Sequence, residues 1–267
     1  MLIAQITDTH IRPDGVLAYR RFDTAAFLAR AVDHILHLDP RPDAVFATGD
    51  LVDAGTSEEY QRLRRLLEPL PMPIYLLPGN HDDREAMRRE FSDHRYLPRD
   101  GFIQYVAAEA PLRVIALDTL LPGAAGGLVD GERIAWLDAR LREAPATPTL
   151  IFMHHPPFKT GIAYMDGIGL AGAAALAEVV RRHPQVERVA CGHLHRSIQA
   201  RWAGTVASTA PSTAHQVALD VRPDAELSFA LEPPGYALHL WDPALGLVSH
   251  VAAVGDFLTY PLSRGRR

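Results

Sequence analysis

Five short segments of this chain are dense in histidine and carboxylate, and each follows an apolar run of strand length. Asp8-Thr9-His10 follows residues 2–7, and Gly49-Asp50 follows 44–48. Gly79-Asn80-His81-Asp82 follows 74–77, His154-His155 follows 150–153, and Gly192-His193-Leu194-His195 follows 186–191. Loops at the carboxyl ends of successive strands are where open α/β sheets assemble a site. Five such loops carrying complementary donors require their strand ends to meet, so the pattern predicts an α/β fold with one shared centre.

The intervening segments fit that frame. Residues 22–38 place Phe22, Ala25, Ala26, Ala29, Val32 and Leu36 at helical spacing. Thr56 and Glu59 form a capping box ahead of a helix over 58–70, which stops at Pro71. Residues 83–91 read as a short polar helix, 114–117 as a strand, and 130–143 and 170–182 as helices. Beyond Arg196 short β-like runs recur at 197–202, 205–207, 227–231, 237–241 and 247–251. They predict a main domain over 1–220 and a C-terminal extension over 221–267 that completes the second sheet and serves as a cap or an oligomer interface. The tail 263–267 is expected to be disordered. Residues 122–127, rich in glycine, read as a flexible loop over the site.

Bulk properties narrow the partners. The chain has 267 residues, 48% of them hydrophobic, which is ample for a sizeable core. A net charge of −5 gives no general attraction to nucleic acid or to an anionic membrane. One cysteine, Cys191, excludes a disulfide framework within the chain and suits a reducing compartment. Its place at the end of an apolar run fits a small buried residue better than a metal ligand. No apolar run approaches a membrane span, and no signal peptide precedes the first strand, so a cytoplasmic location is expected.

Imidazole, carboxylate and one amide, without thiolate, suit Zn, Fe, Mn or Co and hydrolytic chemistry. Asp50, behind Gly49, is the candidate bridge between two ions, since a carboxylate can bind both. Asp8 and His10 are alternate residues, as are His193 and His195, and strand alternation would point each pair at one ion. Asn80 offers an amide oxygen and His154 a further imidazole. His155 adjoins His154 and would replace it only if alternation failed. Asp82 and Asp83 read as a helix N-cap, and Asp53 as loop structure. His215 and Tyr19 are candidates to line a substrate pocket.

Together these segments resemble the pattern of the calcineurin-like metallophosphoesterase superfamily, D-x-H, G-D, G-N-H-[DE], H and G-H-x-H. Asp8-Thr9-His10-Ile11-Arg12, Met153-His154-His155-Pro156-Pro157 and Thr213-Ala214-His215-Gln216-Val217 are similar to its bacterial class III cyclic nucleotide phosphodiesterases and glycerophosphodiesterases. The resemblance covers residues 1 to about 220. It implies a four-layer αββα sandwich of two mixed sheets flanked by helices. It implies two divalent or trivalent ions, one held by Asp8, His10, Asp50 and His195, the other by Asp50, Asn80, His154 and His193. His81 would stay off the metals, binding phosphate or protonating the departing alkoxide. The activity implied is hydrolysis of small phosphodiesters, 3',5'-cyclic nucleotides such as cAMP or glycerophosphodiesters, by a metal-bound hydroxide, in a homodimer or higher homo-oligomer. Ala54 stands where the superfamily's protein phosphatases carry a phosphate-clamping arginine, which favours diesters over monoester dianions. A phosphomonoesterase or nuclease is the alternative within the superfamily. A non-catalytic scaffold predicts gaps in the ligand set, and this chain has none.

Overall fold

In the computed structural model, which describes residues 1–108, 110–258 and 260, each of the five segments follows a strand. The elements run β1 (Leu2–Ile6), α1 (Thr24–Leu36), β2 (Ala44–Thr48), α2 (Ser57–Leu67), β3 (Ile74–Leu77), α3 (Arg84–Glu90), β4 (Tyr105–Ala108) and β5 (Arg113–Ala116). They continue with β6 (Gly127–Leu128), α4 (Gly131–Glu143), β7 (Thr149–Phe152), α5 (Ala163–Gly167), β8 (Leu170–Ala171), α6 (Ala173–Arg182) and β9 (Val186–Cys191). The chain ends with β10 (Ile198–Trp202), β11 (Thr205–Thr209), β12 (Gln216–Val217), β13 (Phe229–Ala230), β14 (Gly235–Asp242) and β15 (Gly246–Ala253).

Two large mixed sheets form. The first has the order β15-β14-β1-β2-β3 and the second β10-β11-β9-β7-β5-β4. Strands β1, β2 and β3 are parallel, as are β5, β7, β9 and β11. Parallel strands sandwiched between layers are apolar on both faces, which is why β2 is buried at every position. The sheets face each other, with Phe46 of β2 stacked on Phe152 of β7 at 4.6 Å. Gln5 of β1 also reaches across to the Cys191 carbonyl at 3.0 Å. Helices α1, α2 and α3 cover the first sheet through Leu28, Ile35, Leu63, Leu67 and Met87. Helices α4 and α6 cover the second through Leu137, Leu141, Leu176 and Val180. The result is the four-layer αββα sandwich. Each such buried aliphatic side chain contributes about 1.5–3 kcal/mol.

Helix starts follow local chemistry. The Thr56 hydroxyl accepts the Glu59 amide while the Glu59 carboxylate accepts the Thr56 amide, at 3.3 and 3.2 Å. Asp83 alone caps α3, accepting the Ala86 amide at 2.7 Å, and the pairing of Asp82 with it as a cap is corrected below.

Beyond Arg196 the sequence expectation needs correction. Strand β14 pairs antiparallel with β1 and β15 with β14, so the C-terminal strands widen the first sheet, away from β9–β11. The alternating apolar pattern of 235–253 specifies a strand, but its partner is set by contacts across the whole chain. Strand β4 and helix α5 have no counterpart in the sequence reading. The tail 263–267 lies outside the described residues. No helix among the described residues is long and apolar enough to cross a membrane.

Candidate active site

The strands end together, and the backbone beyond them is tightly folded. Asp8, His10, Asp50, His193 and His195 have φ of 52, 42, 49, 70 and 51°, the left-handed region that non-glycine residues avoid. Such residues persist only where surrounding bonds over-determine them. Here the Asp8 and His10 amides donate to the Gly49 and Asp50 carbonyls at 3.0 and 2.9 Å. The Asp8 carbonyl accepts Ser212 Oγ, and the His10 carbonyl accepts Thr24 Oγ1, both at 2.8 Å. Strand alternation therefore does not explain why Asp8 and His10, or His193 and His195, converge. Both pairs lie beyond their strands, and the left-handed turns aim them. Glycine is required beside them: a Cβ on Gly49 would lie 2.3 Å from His154 Nδ1, and one on Gly79 2.3 Å from the Asp50 amide.

Four imidazoles each have one nitrogen fixed by an oxygen acceptor. His10 Nδ1 donates to Asp53 Oδ1 at 3.2 Å, His154 Nδ1 to the Thr48 carbonyl at 2.9 Å, His195 Nδ1 to the His215 carbonyl at 2.9 Å, and His193 Nε2 to the Ile168 carbonyl at 3.1 Å. Each bond selects a tautomer and leaves the opposite nitrogen as a lone-pair donor, the arrangement that orients metal-binding histidines. His154 Nε2 and Asn80 Oδ1 are buried without a hydrogen-bond partner among the described residues. An orphaned buried acceptor costs about 1–3 kcal/mol, which a cation would relieve.

The spacing of these donors fits cations. Ligands about 2.0–2.1 Å from one ion, at angles between square and tetrahedral, lie about 2.9–3.4 Å apart. His10 Nε2 and His195 Nε2 are 3.2 Å apart, His195 Nε2 and Asp8 Oδ1 3.4 Å, and His154 Nε2 and Asp50 Oδ2 3.3 Å. Asp50 Oδ2 also lies 3.8 Å from His10 Nε2, so this carboxylate faces both halves of the cluster. Asp8, His10 and Asp50 form one candidate metal group, and His154, His155 and His193 form another.

Charge is concentrated and mutually compensating. Burial would lower His154, but Asp50 and Asp8 beside it raise it to about 9. For His10 too, burial is outweighed by the Asp53 bond and the Asp50 charge, and the net shift is upward. Burial pushes His193 down to about 3, with the His154 charge adding to it. Asp50 resists its own burial because His154, His81 and His10 hold it well below the usual carboxylate range.

A cleft of about 240 Å³ opens onto this cluster, lined by His10, Asp50, Asn80, His81, His193 and His195 on one side. Its other wall is Tyr19, Ala125, Tyr164, Met165, Ile168, Val217, Leu227 and Phe229, and no Lys or Arg among the described residues lines it. His81 stands at the mouth, its amide donating to Asp50 Oδ1 at 2.9 Å and its Nδ1 to the Asp53 carbonyl at 2.8 Å. Tyr19 stands at the rim, its ring 4.6 Å from that of Phe229. His215 is fully enclosed, stacked on Phe22 at 4.7 Å and 5°. Both its ring nitrogens lack partners among the described residues, and one lies within 4.8 Å of nitrogens of His10 and His195.

Sequence reasoning missed two supporting carboxylates. Asp82 is no cap: it is buried and accepts the Gly79 and Leu51 amides at 2.8 and 3.2 Å and the Tyr60 hydroxyl at 2.8 Å, tying the second loop to the third. Asp53 is more than loop structure, since it orients His10 and pairs with Arg12 at 3.1 Å.

Fold and donor cluster together define a metal-dependent phosphoesterase class. The profile of the calcineurin-like phosphoesterases matches residues 1–197, and the chain belongs to that family. Among its relatives, a probable glycerophosphodiester phosphodiesterase from Arcobacter nitrofigilis is 40% identical over 96% of this chain and 94% of its own. A probable cyclic nucleotide phosphodiesterase from Rhodopseudomonas palustris is 39% identical over 89% and 87%. A dimetal phosphatase from Danio rerio shares the fold with a TM-score of 0.63 at 18% identity, covering 96% of this chain and 99% of that one.

Proposed function

We propose that this chain is a dinuclear metal-dependent phosphodiesterase acting on small diesters, the activity for which both quoted bacterial relatives are named. The observation that carries it is the convergence of lone-pair donors on Asp50, two of them buried and unpartnered among the described residues, at the floor of a cleft that no described Lys or Arg lines. One ion would be held by Asp8, His10, Asp50 and His195, the other by Asp50, Asn80, His154 and His193. Bound there, two ions would offset phosphate charge and supply an activated water for in-line attack. Fe, Mn, Zn and Co all suit these donors.

The chain's own residues do the rest. Asn80 and His81 line the cleft, where they would flank the phosphoryl oxygens. With Nδ1 committed to the Asp53 carbonyl, a protonated His81 presents Nε2–H to the cleft, where it would donate to a phosphate oxygen or to the departing alkoxide. Tyr19 at the rim would contact substrate, while His215, enclosed beside His10 and His195, would act only through those two ligands. A diester carries one negative charge, so a cleft lined by no Lys or Arg among the described residues supports diesters over monoester dianions and over polyanionic nucleic acid.

The proposal extends to a cytoplasmic homo-oligomer. The single cysteine is buried, and large apolar side chains stand exposed at Leu219, Val221 and Leu231. Residues 221–267 would act as a cap or a subunit contact. The test is a panel of cyclic AMP, glycerophosphoethanolamine, bis-p-nitrophenyl phosphate and p-nitrophenyl phosphate at fixed metal. Hydrolysis of the diesters well above the monoester is expected, and a preference for the monoester would overturn the reading.

A further inference from the structure

His155 takes no part in the proposed ligand scheme, yet it is fully enclosed and both its ring nitrogens are engaged. Thr119 Oγ1 lies 2.8 Å from Nδ1, and Nε2 lies 3.2 Å from the Ala125 carbonyl. The same threonine oxygen accepts the His155 amide at 3.3 Å. A hydroxyl has one proton, which here goes to Nδ1, so Nδ1 carries the lone pair and Nε2 the proton donated to Ala125. No lone pair is left for a cation, in contrast to His154.

What this imidazole holds is the far wall of the cleft. A Cβ on Gly127 would lie 2.4 Å from the His155 ring, so the loop packs directly on it. The Leu128 amide donates to the Thr119 carbonyl at 3.0 Å, and the Gly127 amide to the Gly169 carbonyl at 3.0 Å. Pairing of β6 with β8 passes the constraint to the segment carrying Tyr164, Met165 and Ile168. These three side chains and Ala125 face the cleft opposite the donor cluster. The loop that sequence reads as flexible is thereby fixed at its centre by one buried side chain.

We infer that His155 is a positioning residue that sets the apolar wall of the cleft, through Ala125, and so determines which ester arms are accepted. The inference rests on the diesterase reading above. Two substrates with one leaving group separate the possibilities, methyl p-nitrophenyl phosphate and the p-nitrophenyl diester of thymidine. In His155→Phe and Thr119→Val, both metals are retained and kcat for the methyl diester changes little. KM for the thymidine diester relative to the methyl diester shifts about fivefold, the scale of one lost hydrogen bond. Thr119→Ser restores the ratio, and amide exchange over 121–128 quickens in both damaged variants. Loss of one metal equivalent in His155→Phe, or an equal fall in kcat on both substrates with the KM ratio unchanged, overturns the inference. If the wild type cleaves neither diester, the diesterase reading has failed. Unchanged exchange over 121–128 would then independently overturn the anchoring role.

Discussion

Asp50 faces both halves of the centre. Its Oδ1 accepts the His81 amide and its Oδ2 faces both His154 and His10. Asp50→Ala is therefore expected to lower metal content at both positions and diester hydrolysis by about 100-fold or more, read by elemental analysis beside kinetics. Full metal occupancy with wild-type rate would remove Asp50 as the bridge. His81→Ala should keep both metals and lose about 100-fold in rate on alkyl leaving groups, and less on p-nitrophenol, which needs no proton. Equal losses across leaving groups would end the acid role. His154 supplies a pH prediction. Without metal its pKa is raised from 6.5 to about 9, so its contribution to stability is full below 6.5 and is lost as pH rises through about 9. A metal ligand must be neutral, so metal binding at pH 7 should release a proton from this site, and affinity should climb with pH toward 9. Calorimetry in buffers of differing ionisation enthalpy measures that proton. The donor residues themselves were legible in the sequence because few chains place so many imidazoles and carboxylates directly after strands. Asp82, Asp53 and Thr119 were not, because a buried carboxylate or hydroxyl that braces a loop has the same local signature as an ordinary cap or turn.

Single elements explain how the loops are held. The bond from Tyr60 on α2 to Asp82 fastens the loops after β2 and β3 to a helix. Tyr60→Phe is expected to cost about 1–2 kcal/mol in urea unfolding, with activity reduced as the second loop loosens. An unchanged midpoint would show that the bond is dispensable. Asp82 itself is lifted to about 6 by burial and by the Asp50 charge, an unfavourable placement accepted in return for four bonds at one point. Apart from β4, the main strands and the longer helices were readable to within a few residues because their apolar periods are long enough to be unambiguous. Helix α5 and strands β6, β8 and β12 were not, since two to five residues carry no period. They form through tertiary contacts, notably the small cluster of Ile162, Met165, Leu194 and Val217 beneath the cleft wall.

At the scale of the molecule the sandwich is closed by its last two strands. Removing residues 220–267 would strip β14 from β1 and unfold the first sheet, so it cannot isolate a subunit contact. Point charges can: Leu219→Glu with Leu231→Glu, both exposed, should lower the mass seen by light scattering if the extension joins subunits, while leaving unfolding unchanged. An unaltered mass would exclude that face. Sequence could not foresee where β14 attaches, because strand identity is local and strand pairing is not. The same pairing bears on the order of biosynthesis. Strand β1 is made well before β14, yet the edge it offers at Leu2 and Ala4 is completed only by Leu240 and Leu238. That edge stays uncovered until residues 238–240 have emerged, so during translation β1 stands open to pairing with the wrong neighbour.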